Sequence, residues 1–147
     1  MPALVAQIST LKPAAGFEYY SGQVYWNDFE VVASKINWEA TGSVSLPWFN
    51  IAKAPEGGFV RGLFFNCGNG WVERQMLDNG FVRSVEGFDI DERLLKEADT
   101  AALQKGFDCR YRLENANDVI LPPNYYDLVV NHAAMHHVAS IDKLTRS

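Results

Sequence analysis

Two glycines and one carboxylate are the residues whose types and spacing most favour ligand chemistry. Gly68 and Gly70 lie in the turn at residues 66–70, directly after an apolar segment. Glycines at such a turn let the backbone approach a ligand closely, and the helix that follows presents its N-terminus. Asp89 ends a second apolar segment, where a carboxylate can accept hydrogen bonds from both hydroxyls of a ribose. This pattern predicts a nucleoside-binding site.

Both features also have a purely structural interpretation. Glycine turns between a strand and a helix are common, and Asp89 or Asp91 could simply cap the next helix. We assign the capping role to Asp91 and the ligand contact to Asp89. The dinucleotide fingerprint G-x-G-x-x-G is not met, because Glu73 occupies the third glycine position. An adenosine ligand is therefore favoured over a dinucleotide that needs a pyrophosphate site.

Histidine and cysteine supply the remaining candidates for chemistry. His132 could act as a general base, because an imidazole titrates near neutral pH. A metal site is disfavoured, since the three histidines of the chain lack a reliable fourth ligand. For His136 and His137 we favour packing under the edge of a sheet. Cys67 could be a nucleophile at a helix N-terminus, but no partner base is identifiable, and a small loop residue is the preferred interpretation.

The chain around these residues alternates between strand-like and helix-like patterns. Asp91 is the expected N-cap, and Gly106 the expected stop, of one of the helices. The alternation predicts a parallel sheet with right-handed crossovers, whose ligands bind at the carboxyl ends of the strands near the topological switch point. Strands are predicted at residues 60–65, 84–90, 108–113 and 126–131, and helices at residues 71–78, at residues 92–105 and from about residue 140.

Two apolar patterns indicate the buried surfaces of this sheet and its helices. The fourth strand is apolar enough to be buried on both faces. The helix at residues 92–105 carries a stripe of residues at helical spacing that should face the core. The stripe consists of Leu94, Leu95, Ala98, Ala102 and Leu103.

Residues 1–58 form a predicted helical and loop-containing lead-in, and residues 59–147 form the second domain. Within the lead-in, apolar residues at helical spacing predict one helix at residues 23–36 and a short helix at residues 48–52. Pro55, Gly57 and Gly58 mark the connection between the two parts.

Length and composition bound the class of protein. The chain has 147 residues, of which 48% are hydrophobic and 21% charged, so a disordered chain is excluded. Its net charge of −5 argues against nucleic acid as a partner. No apolar run approaches the ~20 residues of a membrane span, and the N-terminus is a poor signal peptide. Two cysteines are too few for a disulfide scaffold, so a reduced, cytoplasmic setting is expected.

Three segments taken together resemble the class I S-adenosylmethionine-dependent methyltransferases. They read LFFNCGNG at residues 63–70, GFDID at residues 87–91 and YDLVVNHAAMHHV at residues 126–138. The resemblance implies a Rossmann-like three-layer α/β sandwich whose parallel sheet has about four strands in the order 3-2-1-4. It also implies S-adenosylmethionine as cofactor and S-adenosylhomocysteine as product. The stretch CGNGWVE and the aromatic lead-in are similar to a subgroup whose methyl acceptors are small molecules or saccharides.

The resemblance assigns contacts to individual residues of this sequence. Tyr25 or Trp26 of the lead-in would cover the cofactor. The loop against the methionine portion of the cofactor would consist of Asn66, Cys67, Gly68 and Gly70; Asp89 would bind the ribose and Ile90 would pack on the adenine; Asn115 and Ala116 would lie at the adenine edge; Asn131 and His132 would lie beside the sulfonium and the acceptor.

The sequence departs from the family pattern at three of these places. Phe64 stands where the family has an acidic residue, and Asn66 replaces its first glycine. Asparagine tolerates the left-handed conformation better than most residues, so the turn should be kept. Asn115 replaces the aspartate at the adenine edge, and its carbonyl oxygen can still accept a hydrogen bond from an amino group.

The family fold has further strands after the fourth, and this chain ends before them. We therefore expect a truncated chain, or a homodimer in which the apolar fourth strand pairs across the sheet edge. A non-catalytic cofactor-binding or dimerisation module is the alternative to an active methyltransferase.

Overall fold

The computed structural model describes residues 29–146. The chain divides into two compact units, Met1–Ala54 and Pro55–Ser147. Tyr25, Trp26 and the first part of the helix predicted at residues 23–36 lie outside the described residues.

Helix α1 of the first unit spans Glu30–Thr41. It ends at Gly42, whose φ of 75° allows its N–H to donate to the carbonyl of Trp38. The predicted helix end at residue 36 is therefore wrong, because the glycine that stops the helix comes six residues later. A 3-10 helix at Trp48–Ile51 follows, as expected from the sequence, and its Phe49 is buried.

The second unit is built around a four-stranded parallel sheet in the order β3-β2-β1-β4. This confirms the predicted Rossmann-like architecture and strand order. The elements of this unit are β1 (Phe59–Phe65), α2 (Trp71–Asp78), β2 (Val82–Asp89), α3 (Glu92–Lys105), β3 (Cys109–Leu113), β4 (Leu128–Val130), a 3-10 helix (Met135–His137) and α4 (Ile141–Thr145).

The sheet has apolar packing on both faces. On one face, a buried cluster joins the strands to the segments after β3 and β4, including Leu144 of α4. On the other face, Tyr111 of β3 lies against Gly70 and Gly87, and Ala98 of α3 lies close to Gly70. The cluster on the first face consists of Leu63, Phe65, Phe88, Ala116, Val138 and Leu144.

Local signals fix both ends of α3. The Asp91 side chain accepts hydrogen bonds from the N–H groups of Arg93 and Leu94, and Gly106 ends the helix in the left-handed conformation. Both predictions are confirmed. The predicted stripe is only partly correct: Leu95, Ala98 and Ala102 are buried, but Leu94 is half-buried and Leu103 is 70% exposed.

The expected burial of the fourth strand on both faces is wrong. Strand β4 pairs through three residues with β1 alone, so it forms an edge of the described sheet. Its central residue, Val129, is 57% exposed. Within residues 29–146, no helix combines the length and the apolar character that a bilayer crossing requires.

Candidate functional site

The loop after β1 alternates in backbone conformation. Asn66, Gly68 and Gly70 all have a positive φ, of 54°, 56° and 69°. Gly70 cannot be replaced without a shift, because an added Cβ would lie 2.5 Å from the Tyr111 hydroxyl. Among the described residues the space beside Gly68 is open, since the nearest atom to an added Cβ would be Leu94 Cδ1 at 4.0 Å. The loop therefore packs tightly on the protein at Gly70 and leaves room at Gly68.

Asp89 at the end of β2 joins this loop to the next one. Its Oδ2 accepts a hydrogen bond from the Gly68 N–H at 2.8 Å. Its Oδ1 accepts from the N–H groups of Ile90 at 2.7 Å and Asp91 at 3.0 Å. A carboxylate has about four acceptor positions, so one position on Oδ2 stays available. One ribose hydroxyl fits without displacing a bond, whereas the predicted pair of hydroxyls requires one backbone bond to give way.

The turn after β3 carries the residues assigned to the adenine edge. Asn115 Oδ1 accepts hydrogen bonds from the Asn117 N–H at 3.0 Å and from Asn117 Nδ2 at 2.9 Å. Both lone pairs of that oxygen are thus used, and the expected bond from it to an amino group is not free to form. The Ala116 side chain is buried in the core, so a contact with a ligand would come from its backbone.

The loop after β4 faces the loop after β1. Asn131 Nδ2 donates to the Phe65 carbonyl at 3.1 Å, and Asn66 Nδ2 donates to the Ala134 carbonyl at 3.3 Å. The His132 ring lies perpendicular to the Trp71 ring, with 5.1 Å between centroids. Burial lowers the pKa of His132 below its ordinary 6.5. The imidazole is therefore neutral at pH 7 and able to accept a proton.

The other two histidines do not pack as expected. His136 is exposed and His137 half-buried, with their ring centroids 4.0 Å apart. The predicted packing under the sheet edge is wrong for His136. Burial, followed by the nearby His136, lowers the pKa of His137. Among residues 29–146, no group of three His, Cys, Asp or Glu side chains is arranged to hold a metal ion.

Sequence reasoning missed a buried polar cluster behind the glycine loop. Glu73 on α2 is only 1% exposed, and burial raises its pKa to about 8. Its Oε1 has no hydrogen-bond partner among the described residues. A partial signal was present, because the helical spacing of Val72 and Met76 marks an apolar side of α2 to which Glu73 is adjacent. The carboxyl of Glu73 is therefore protonated and neutral at pH 7.

Cys67 belongs to the same cluster. Burial first raises the pKa of its thiol, and the negative charges of Asp89 and of Glu73, which is ionised above about pH 8, raise that pKa further. A thiol of raised pKa is a poor nucleophile at neutral pH. This supports the interpretation of Cys67 as a loop residue.

The predicted site residues thus fall into three groups at the carboxyl ends of the strands. Asn115 and Ala116 form the first group, in the turn after β3. Gly68 and Asp89 share a hydrogen bond, with Ile90 half-buried beside them. Asn66 and Asn131 meet at Ala134 in the loop after β4. An open glycine loop beside a carboxylate with a free acceptor position fits the adenosine portion of S-adenosylmethionine. The contacts assigned to individual residues stay predictions.

Comparison with known proteins agrees with this geometry. A family model described as a methyltransferase domain matches residues 63–147. A comparison with curated protein sequences finds no match. Among solved structures, an S-adenosylmethionine-dependent methyltransferase from Mesorhizobium loti is 28% identical, with a TM-score of 0.58, over 67% of this chain and 45% of that one.

Two further structures share the fold at lower identity. The YcgJ protein of Bacillus subtilis is 21% identical, with a TM-score of 0.57, over 66% of this chain and 40% of that one. The phosphoethanolamine N-methyltransferase 2 of Haemonchus contortus, solved with phosphomonomethylethanolamine and S-adenosylhomocysteine, is 24% identical, with a TM-score of 0.55, over 61% of this chain and 21% of that one. The chain spans less than half the length of these structures.

The family match covers more than half of the chain and includes the glycine loop, Asp89 and the loop after β4. Strand order and the left-handed glycine loop agree with it. The chain therefore belongs to the methyltransferase domain family, with the fold of the class I S-adenosylmethionine-dependent enzymes.

Proposed function

We propose that this chain binds S-adenosylmethionine at the carboxyl ends of β1 and β2 and takes part in methyl transfer to a small-molecule or saccharide acceptor. The observation that carries the proposal is the hydrogen bond of 2.8 Å from the Gly68 N–H to Asp89. This hydrogen bond holds the glycine loop beside the Asp89 carboxylate, which still has one acceptor position available. Binding therefore needs little rearrangement of the backbone.

The residues have separate roles in this proposal. Asp89 accepts a hydrogen bond from a ribose hydroxyl, and the backbone at Gly68 lies against the methionine portion. When bound, the cofactor supplies a methyl group on a positively charged sulfur, which is a strong electrophile. The protein's main contribution is to hold that group and the acceptor close and aligned.

A general base is needed only for a protonated acceptor such as a hydroxyl. His132 is the candidate, because its imidazole is neutral at pH 7 and lies in the loop after β4. An acceptor that is already deprotonated would not depend on it.

The alternative is a module that binds the cofactor, or dimerises, without catalysis. Phe64 favours this non-catalytic alternative, because its apolar side chain, only 2% exposed, stands where the family has a carboxylate. Among the described residues β4 pairs only with β1, and this edge position, with Val129 exposed, favours the dimer. We also propose a cytoplasmic setting, which the two free thiols support.

A methyl-transfer assay tests the hypothesis that the chain is an active methyltransferase. The chain is incubated with S-adenosylmethionine labelled in the methyl group and a panel of small-molecule and saccharide acceptors. We expect label in one acceptor class together with an equal amount of S-adenosylhomocysteine. Cofactor binding without transfer to any acceptor would favour the non-catalytic module.

A further inference from the structure

Two asparagine side chains bridge the loops that follow β1 and β4. Asn66 Nδ2 donates to the Ala134 carbonyl at 3.3 Å, and Asn131 Oδ1 accepts from the Ala134 N–H at 3.2 Å. Asn131 Nδ2 also donates to the Phe65 carbonyl at 3.1 Å. We call Asn66, Asn131 and Ala134 the amide bridge. Ala134 is held through its N–H and its carbonyl, from both sides of the gap between the strands.

The backbone on each side of the bridge is in an unfavourable conformation. Asn66 has a φ of 54°, and Ala133 has a φ of 57°. Asparagine visits this region with modest cost, but alanine gains no side-chain hydrogen bond there. A residue keeps such a conformation only where its surroundings fix it. The hydrogen bonds to Ala134, the next residue, are contacts that can fix Ala133.

The topology places the bridge where a ligand would bind. The connections from β1 to β2 and from β2 to β3 run in one direction across the sheet, and β4 then pairs on the opposite side of β1. The direction reverses between β1 and β4, and ligands of such sheets bind at the carboxyl ends near this switch point. The loops that Asn66 and Asn131 join are the two that border it.

A ring contact also joins the loop after β4 to the first residue of α2, which directly follows the glycine loop. Trp71 opens α2 after the glycine loop, and His132 follows β4. Their rings are perpendicular with centroids 5.1 Å apart. A change in the loop after β4 must therefore change the surroundings of His132.

We propose that Asn66 is a positioning residue that, through Ala134, fixes the loop after β4 and with it His132 at the edge of the cofactor site. The inference rests on the proposed function for the identity of the ligand, but not for the contact itself. Glycine, the family residue at this position, would keep the turn and lose the amide. Asn66 thus donates a side-chain hydrogen bond to the Ala134 carbonyl that a glycine at this position cannot form.

Proton NMR of the histidine rings tests the contact directly. The chain has three histidines, and Trp71→Leu identifies the part of the His132 shift that comes from the Trp71 ring. Asn66→Gly preserves the left-handed backbone, and we expect it to abolish that part of the shift. Asn66→Asp also tolerates the backbone but cannot donate to the Ala134 carbonyl, and it should act in the same way. An unchanged His132 resonance in both folded variants would overturn the proposal.

Asn124→Gly is the matched control. Asn124 also has a positive φ, of 56°, and is exposed in the turn before β4, away from the carboxyl ends of the strands. The Asn124→Gly variant removes an asparagine amide at the same backbone conformation and should leave the His132 resonance unchanged. A shift as large as that in Asn66→Gly would attribute the effect to general loosening and contradict the proposal.

Cofactor affinity supplies the second readout. Titration with S-adenosylhomocysteine should show binding to Asn66→Gly weakened by about fivefold, the equivalent of one neutral hydrogen bond. Equal or tighter binding would mean that Asn66 is neutral or obstructs the site, and the proposal would fail. If the unsubstituted chain binds no cofactor, the proposed function fails instead, and the NMR result alone decides the role of Asn66.

Discussion

At the scale of single residues, Glu73 gives the clearest prediction about stability. Its pKa is raised by burial from 4.5 to about 8. Between these values the unfolded chain is ionised at this position and the folded chain is protonated, so folding binds a proton. The contribution of Glu73 to the free energy of unfolding is therefore most favourable below pH 4.5, and it is lost as the pH rises to about 8. The slope for this single group is about 1.4 kcal/mol per pH unit.

Glu73→Gln removes this titration. We expect the free energy of unfolding of the unsubstituted chain to fall between pH 5 and pH 8 relative to that of the variant, as measured by urea denaturation. Glu97→Gln, at an exposed position on α3, is the control and should follow the unsubstituted chain. Parallel pH profiles for Glu73→Gln and the unsubstituted chain would show that Glu73 does not titrate in this range.

Residues whose roles are local were predictable from the sequence. Asp91 caps α3 because its side chain reaches N–H groups two and three residues ahead. The buried state of Glu73 was not predictable with equal ease, because a charged residue in a helix is usually solvated. The free acceptor position on Asp89 also depends on the approach of Gly68, which is 21 residues away.

At the scale of elements, β4 depends on one carboxylate. Asp127 accepts hydrogen bonds from the N–H groups of Val60 at 2.8 Å and Arg61 at 2.7 Å, which joins the start of β4 to β1. We expect Asp127→Ala to lower the free energy of unfolding by about 1 kcal/mol, a reduced value for charged hydrogen bonds because the site is exposed.

Urea denaturation measures the effect of Asp127→Ala. The exposed Asp118 in the turn after β3 supplies the control variant, Asp118→Ala. Equal stability of the two variants would mean that the contacts of Asp127 with β1 do not stabilise the strand.

The helices of the second unit were predicted with better bounds than the edge strand. Helices α2 and α3 have the bounds expected from the sequence, because glycine turns and caps set them locally. Strand β4 covers three of the six residues predicted. On either side of it, Asp127 and Asn131 form side-chain hydrogen bonds with β1. Such long-range bonds leave no pattern in the sequence.

At the scale of the whole molecule, the position of β4 at the edge of the described sheet leads us to predict that the chain associates with itself. An edge strand with unpaired backbone groups and an exposed apolar residue favours pairing with another chain. Val129 is that residue, at 57% exposure. Sedimentation should show dimers that dissociate in Val129→Lys, because a charge on the edge opposes pairing. A monomer at high concentration for the unsubstituted chain would contradict the dimer.

The family and sheet order could be inferred from the sequence because three separated segments keep their order and spacing. The methyl acceptor could not be inferred from the sequence, since the contacts with an acceptor come from side chains that no local pattern identifies. The same holds for the amide bridge, which requires Asn66 and Ala134 to meet across 68 positions of sequence.

Calorimetric titration with S-adenosylmethionine and S-adenosylhomocysteine tests the central claim most directly. Asp89→Ala removes the acceptor for the ribose, Asp89→Asn removes its charge, and Asp99→Ala, exposed on α3, is the control. We expect binding by the unsubstituted chain and by the control. Loss of one charged hydrogen bond, about 1.5–3 kcal/mol, should weaken both Asp89 variants by roughly tenfold or more. Unchanged affinity in folded Asp89→Ala, or no binding by the unsubstituted chain, would contradict the proposed site.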